Sequence, residues 1–202
     1  MRRLKFSLIG IGRVLMNNGQ MVDPMNPFAK QLASLTRRGS NKTEESNEKI
    51  LKTKFLGSLY HDPRMGLCMP SDAILGSLTR AATTVVKRGG KNQVQVGVDV
   101  PPDVDFFPFT FDGYKRDRDT PERLYEQGHR LVKAVRIGKN KVIGCRACFT
   151  GWRVDAELMF DPEVINKDTL VTMLKAAGAS VGIGDWRPRF GRFNVEIANT
   201  RT

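Results

Sequence analysis

A chain of 202 residues, 40% hydrophobic and 27% charged, is long enough to bury one good core and too apolar to be a disordered tail. Its 33 Lys+Arg against 21 Asp+Glu give a net charge of +12 and a pI of about 10.0, a balance that favours an anionic partner, nucleic acid before membrane. No apolar run approaches the roughly 18 residues of a membrane span. The basic start MRRLKFSLIGIGRVLM is interrupted by Arg13 and has no small-residue cleavage site after it, so it reads as a strand of a cytoplasmic protein rather than as a signal peptide.

Leu4, Phe6 and Leu8, followed by a denser apolar run to Met16, predict a core strand. NNGQMVDPMNPFAK then leaves the core as a loop in which Pro24 and Pro27 oppose regular structure, and residues 17–66 read as an insertion after the first strand. Within it, Phe28 to Leu35 predicts a short helix. Asn41 and Glu44 have capping-box spacing ahead of Ile50, Leu51, Phe55, Leu56 and Leu59, which predicts a helix from about Thr43 to Leu59. Met69-Pro70-Ser71-Asp72 introduces a clearer helix, with Ile74, Leu78, Ala81 and Val85 on one stripe and Gly89-Gly90 marking its end.

NQVQVGVDV alternates polar and apolar residues in the manner of a half-exposed strand, so Asn92 to Phe111 reads as a β-hairpin or extended arm inside an insertion at 92–118. Phe107, Phe109 and Phe111 would share one face of it, packed on a core or on a neighbouring subunit. Thr120-Pro121 is a good start for one or two helical turns. From Arg130 to Arg153 the charges are Arg130, Lys133, Arg136, Lys139, Lys141, Arg146 and Arg153, with no acid between them. They read as a basic stripe on strands, either a phosphate-binding face or a solvated edge guarded by cations. Arg153 to Phe160 is a further strand. Asp168 is placed to cap a helix with Leu170, Leu174 and Ala177 on one face and Gly178 as its stop.

The stretch GASVGIGDWRPRFGRFNVEI, Gly178 to Ile197, organises the rest. Gly178, Gly182, Gly184 and Gly191 permit positive φ or close backbone approach, and Arg187, Arg189 and Arg192 supply guanidinium forks suited to phosphate. Trp186 offers a face on which a base could stack. A glycine-rich turn before an edge strand is the plainer alternative. FGRFNVEI itself reads as a strand. The elements together predict one α+β domain over 1–202: a ferredoxin-like or RNA-recognition-type βαββαβ antiparallel sheet with helices on one face, a long insertion after the first strand and a β-hairpin arm.

Three cysteines, Cys68, Cys145 and Cys148, leave any disulfide framework incomplete and point to a reducing compartment. Cys145 and Cys148 form a C-x-x-C inside a strand, where positions three apart face opposite ways, so no metal site is expected. No cofactor motif is recognised. With only His61 and His129 in the chain there is little material for a nucleophilic triad.

The stretch LCMPSDAILGSLTRAA, Leu67 to Ala82, resembles the proline-serine loop and following helix of RAMP-superfamily proteins, the RNA-binding backbone subunits of multisubunit CRISPR effector complexes. AAGASVGIG, the arginine-rich link and FGRFNVEI are similar to their glycine-rich loop and last strand. The opening LMNNGQMVDPMNPFAK also resembles small phage proteins. The resemblance implies a non-catalytic protein that lies head-to-tail in a row of copies along single-stranded nucleic acid, RNA before DNA, with other effector subunits as further partners and no membrane. It carries Ser71, Thr79 and Arg80 over to the RNA-facing loop and helix, and Gly182, Gly184, Arg187 and Arg192 to the glycine-rich loop. Alternatives from other classes are a phage single-stranded DNA-binding or recombination protein, a virion assembly protein and a RAMP-type endoribonuclease. Asp23, His61 and His129 are the only catalytic candidates for the last.

Overall fold

A computed structural model describes residues 1–37, 43–138 and 140–198. The fold is α+β with mostly antiparallel sheet. In chain order its elements are β1 (Arg2–Gly10), β2 (Val14–Leu15), α1 (Pro27–Thr36), α2 (Glu44–Ser58), β3 (His61–Asp62), β4 (Gly66–Pro70), α3 (Ser71–Val85), α4 (Gly90–Gly97), β5 (Val98–Asp99), β6 (Phe106–Phe111), α5 (Pro121–Glu126), β7 (Arg130–Ile137), β8 (Asn140–Phe149), β9 (Trp152–Phe160), α6 (Lys167–Ala176) and β10 (Phe193–Ile197). They divide between two compact units. One comprises Met1–Val14, Asp62–Gly113 and the chain from Thr150 onward; the other comprises Leu15–His61 and Tyr114–Phe149.

The first unit holds a seven-stranded sheet in the order β10-β1-β9-β6-β4-β3, with the short β5 also beside β9. β1 pairs antiparallel with both β10 and β9, and β9 pairs antiparallel with β6. Alternation decides which face is buried: Leu4, Phe6 and Leu8 of β1, Trp152, Val154, Leu158 and Phe160 of β9, and Phe107 and Phe109 of β6 point into one core. α3 and α6 pack on one another and add Ile74, Leu78, Ala81, Leu170, Met173 and Leu174 to it. Each large side chain removed from water there contributes about 1.5–3 kcal/mol. Trp152 is its largest member, stacked on Phe109 at 6.1 Å and edge-on to Phe193 at 6.4 Å, with its indole N–H donating to the Gly12 carbonyl at 3.0 Å.

The second unit holds a three-stranded sheet, β2-β8-β7, against which α2 packs. Thr43 caps α2 by accepting the Ser46 N–H, and Thr120 caps α5 by accepting the Arg123 N–H. The expected cap Asn41 lies outside the described residues. Pro27, expected to oppose regular structure, instead begins α1, where its missing N–H costs nothing. Tyr125 of α5 ties the unit together. Its hydroxyl donates to Glu48 of α2 at 2.6 Å, and the Arg130 guanidinium lies 4.1 Å from its ring centroid.

Four expectations need correction. The alternating stretch NQVQVG is not a strand of an arm but part of the helix α4, started by Gly89 in the left-handed region, and only Val98 and Asp99 after it are extended. The helix buries Val94 and leaves Val96 66% exposed, while Val98 is buried as a strand residue opposite Phe160, so the apolar alternation spanned two different elements. β6 is no arm either, because β9 and β4 flank it in the sheet. The third correction concerns Gly178, which does not stop α6. The chain continues through a π-helical turn, Ala177–Val181, and the missing Cβ of Gly178 is what lets the Phe193 carbonyl approach. Asn166, not Asp168, caps that helix.

Candidate nucleic-acid interface

The glycine-rich loop between α6 and β10 is a closed structure. Ile183 N–H donates to the Gly191 carbonyl at 2.9 Å, Gly191 N–H donates to the Arg13 carbonyl at 2.8 Å, and Ile11 N–H donates to the Arg192 carbonyl at 2.9 Å. Gly182 and Gly191 both have positive φ, and a Cβ on Gly191 would collide with the Ile183 carbonyl. These glycines are therefore required by the loop's own packing. Ile183, Phe190 and Phe193 anchor it in the core, and Trp186, at φ 52°, turns the chain at its tip.

What the loop displays is arginine. Arg189 and Arg192 are exposed and Arg187 is half-buried. Arg13, arriving from the end of β1, lies 5.3 Å from the Phe190 ring centroid, and Arg189 lies 5.9 Å from the same ring. Arg80, exposed on α3, is near enough that its charge, after burial, depresses the pKa of Arg187, with Asp185 opposing. Two guanidiniums that repel one another in a partly dry site are relieved by an anion between them. None of the ion pairs among the described residues uses Arg13, Arg80, Arg187, Arg189 or Arg192. Arg13 was missed in the sequence, where it stood out only as a break in an apolar run.

The other predicted contacts are more scattered. Ser71 is buried in the first turn of α3, and its N–H donates to the Asp105 carbonyl at 2.9 Å. Thr79 lines a groove with Leu75, Val94 and Val96 between α3 and α4. The basic stripe is split. Its second-unit members lie on the β7–β8 hairpin, where cross-strand register puts Arg130, Arg136 and Lys141 on one face and Lys133 and Arg146 on the other. Arg130 is also committed to Tyr125, donating to its carbonyl at 2.6 Å. Lys139 lies outside the described residues. Among the exposed apolar residues of the hairpin are Val132 and Ile143, at 43% and 57%.

The open face of the large sheet carries a groove of about 930 Å³ lined by Arg3, Lys5, Ser7, Phe106, Asp155 and Glu157 among others. Charge there is internally balanced. Arg3 pairs with Glu157 at 3.0 Å, Arg153 pairs with Asp155 at 2.8 Å, and Lys5 stands opposite Glu157 in the β1–β9 register. A phosphate entering this groove meets carboxylates, whereas one at the arginine loop meets mainly cations.

The catalytic candidates are not assembled. Asp23 is exposed and accepts the Met25 N–H at 2.9 Å, and His61 is exposed at the start of β3. His129 stacks on Phe149, with ring centroids 5.6 Å apart. Burial lowers the pKa of His129, partly offset by the charge of Asp119. A histidine whose folded-state pKa is depressed contributes stability when neutral, and that contribution is lost as pH falls through the unfolded value toward the folded one. Thermal melting is therefore expected to drop more steeply between about pH 7 and pH 5 in the parent than in His129→Asn protein. Equal slopes would remove His129 as the cause. The buried thiols of Cys68 and Cys145 are pushed up to about 11, which makes them poor nucleophiles.

The chain matches no protein-family model and no curated protein.

Proposed function

We propose that the protein is a non-catalytic single-stranded nucleic-acid-binding protein, RNA before DNA, of the RAMP type, whose copies line up head-to-tail along the strand. The observation that carries this reading is the gathering of Arg13, Arg80, Arg187, Arg189 and Arg192 from three separate parts of the chain around one closed loop, with none of the ion pairs found among the described residues engaging them. A site made mainly of guanidinium forks on a rigid frame suits phosphate binding better than turnover.

The fold supports the same reading. β1, α3, β6, β9, α6 and β10 follow one another as βαββαβ, and the first strand lies between the fourth and the third with the second beyond the third. That order supports reading the sheet as a ferredoxin-like unit enlarged by β3, β4, β5 and α4. The contacting arm that the resemblance implies is then best sought in the β7–β8 hairpin, with its exposed cations and apolar side chains.

Labelled single-stranded RNA incubated with the protein and Mg²⁺ or Mn²⁺ is expected to be bound and to stay full length. Asp23→Ala and His129→Ala are expected to leave affinity nearly unchanged. On a strand long enough for many copies, electron microscopy is expected to show regular rows, as a contact that does not close on itself produces. Site-specific cutting abolished by either substitution would make the protein an enzyme instead, and discrete particles indifferent to strand length would remove the head-to-tail arrangement.

A further inference from the structure

The arginine loop contains one carboxylate, which attraction of phosphate by its arginines does not call for. Asp185 is half-buried two residues before Arg187, inside the turn closed by the Ile183–Gly191 hydrogen bond, and one of its oxygens accepts the Trp186 N–H at 3.0 Å. Its negative charge supports the charged form of Arg187 but repels every phosphate that the five arginines attract. What a carboxylate adds, and no arginine can, is hydrogen-bond acceptance: ionised, it offers about four lone-pair positions. A ligand that suits both features has phosphates for the guanidiniums and a hydroxyl donor close to each phosphate. RNA has that pattern and DNA lacks it, because the 2′-hydroxyl is the group that separates them.

We propose that Asp185 is the residue by which this loop selects RNA over DNA, accepting the 2′-hydroxyl of a nucleotide whose phosphate the neighbouring arginines hold. The inference rests on the nucleic-acid reading of the loop. It accounts for an acid kept where affinity alone would exclude one: the charge weakens binding of every strand, and the hydrogen bond restores it for ribose only.

The test compares three single strands of one sequence: RNA, DNA and 2′-O-methyl RNA. The parent protein is expected to bind RNA about tenfold more tightly than either of the others, the effect of one hydrogen bond to a charged group. Asp185→Ala is expected to bring the three together, weakening RNA while tightening DNA and the methylated strand. Asp185→Asn keeps an acceptor without the charge and is expected to retain a preference for RNA. A preference that survives Asp185→Ala, a parallel shift of all three strands, or a parent that does not separate RNA from 2′-O-methyl RNA overturns the proposal while leaving phosphate binding intact. A parent that binds none of the three overturns the nucleic-acid reading as well.

Discussion

Arg80→Ala/Arg187→Ala protein is expected to bind single-stranded RNA about tenfold or more weakly than the parent, with a log affinity that falls less steeply with log salt, by roughly 0.7 in slope. The two side chains come from α3 and from the loop before β10, elements far apart in sequence, and Arg187 registers the charge of Arg80 without any ligand. A phosphate held between them would be bound by both forks, so removing both is expected to delete one phosphate contact, worth about −0.7 in the salt slope on a single strand. Loss is expected to be the same for every sequence, because phosphate contacts carry no base information. Arg3→Ala/Arg153→Ala is the matched control. Those arginines already face Glu157 and Asp155 across exposed ion pairs, so deleting them is expected to leave the slope where it was. A folded Arg80→Ala/Arg187→Ala protein with unchanged affinity and slope would make the loop purely structural and move the interface to the β7–β8 hairpin.

Trp152→Ala is expected to cost the first unit about 3–5 kcal/mol, enough to leave it largely unfolded if its stability is at the low end of the usual range. The indole is 1% exposed and fills the space between Phe109 and Phe193. Gly10 has no Cβ because one there would run into the ring. Removing the side chain leaves a cavity next to β10 and takes the donor from the Gly12 carbonyl, immediately before Arg13, whose carbonyl holds the Gly191 N–H. Trp152→Phe keeps most of the apolar volume and is expected to lose less. Denaturant unfolding distinguishes the two, with Val96→Ala on the exposed side of α4 as a surface reference expected within about 0.5 kcal/mol of the parent. A midpoint for Trp152→Ala close to that of Val96→Ala would mean that the core relaxes around the gap.

The residues that were legible in the sequence are those whose period matched their final surroundings. Leu4, Phe6 and Leu8 alternate because β1 buries one face, and Ile74, Leu78 and Ala81 recur at helical spacing because α3 does. Val94, Val96 and Val98 failed because every second residue was apolar while only two of the three had a core to enter, and nothing local distinguishes that from a strand. Gly89-Gly90 was read as a helix stop although Gly89 starts the next helix, since the same left-handed conformation serves either end. The arginine loop was legible as a phosphate candidate from its own composition. Arg13 and the convergence of Arg80 were not, because proximity between β1, α3 and the loop is a property of the tertiary fold. The basic run from Arg130 onward misled in the opposite sense. One sign of charge along a sequence looked like one surface, and hairpin register divided it between two faces.

The pairing of β1 also fixes when the first unit can come into being. Phe6 is aligned with Ile197 on one side and Ala156 on the other, so β1 waits for two neighbours that the ribosome delivers only after β2 through β8 have been made. Contacts so distant along the chain demand large loop closures before they return any energy, which slows folding. The second unit has a long closure of its own, β2 onto β8, but it is complete once β8 ends at Phe149, ahead of β9. Vectorial synthesis therefore favours a nascent intermediate in which the hairpin unit is already formed while the apolar face of β1 is still without its partners and vulnerable to association with other chains.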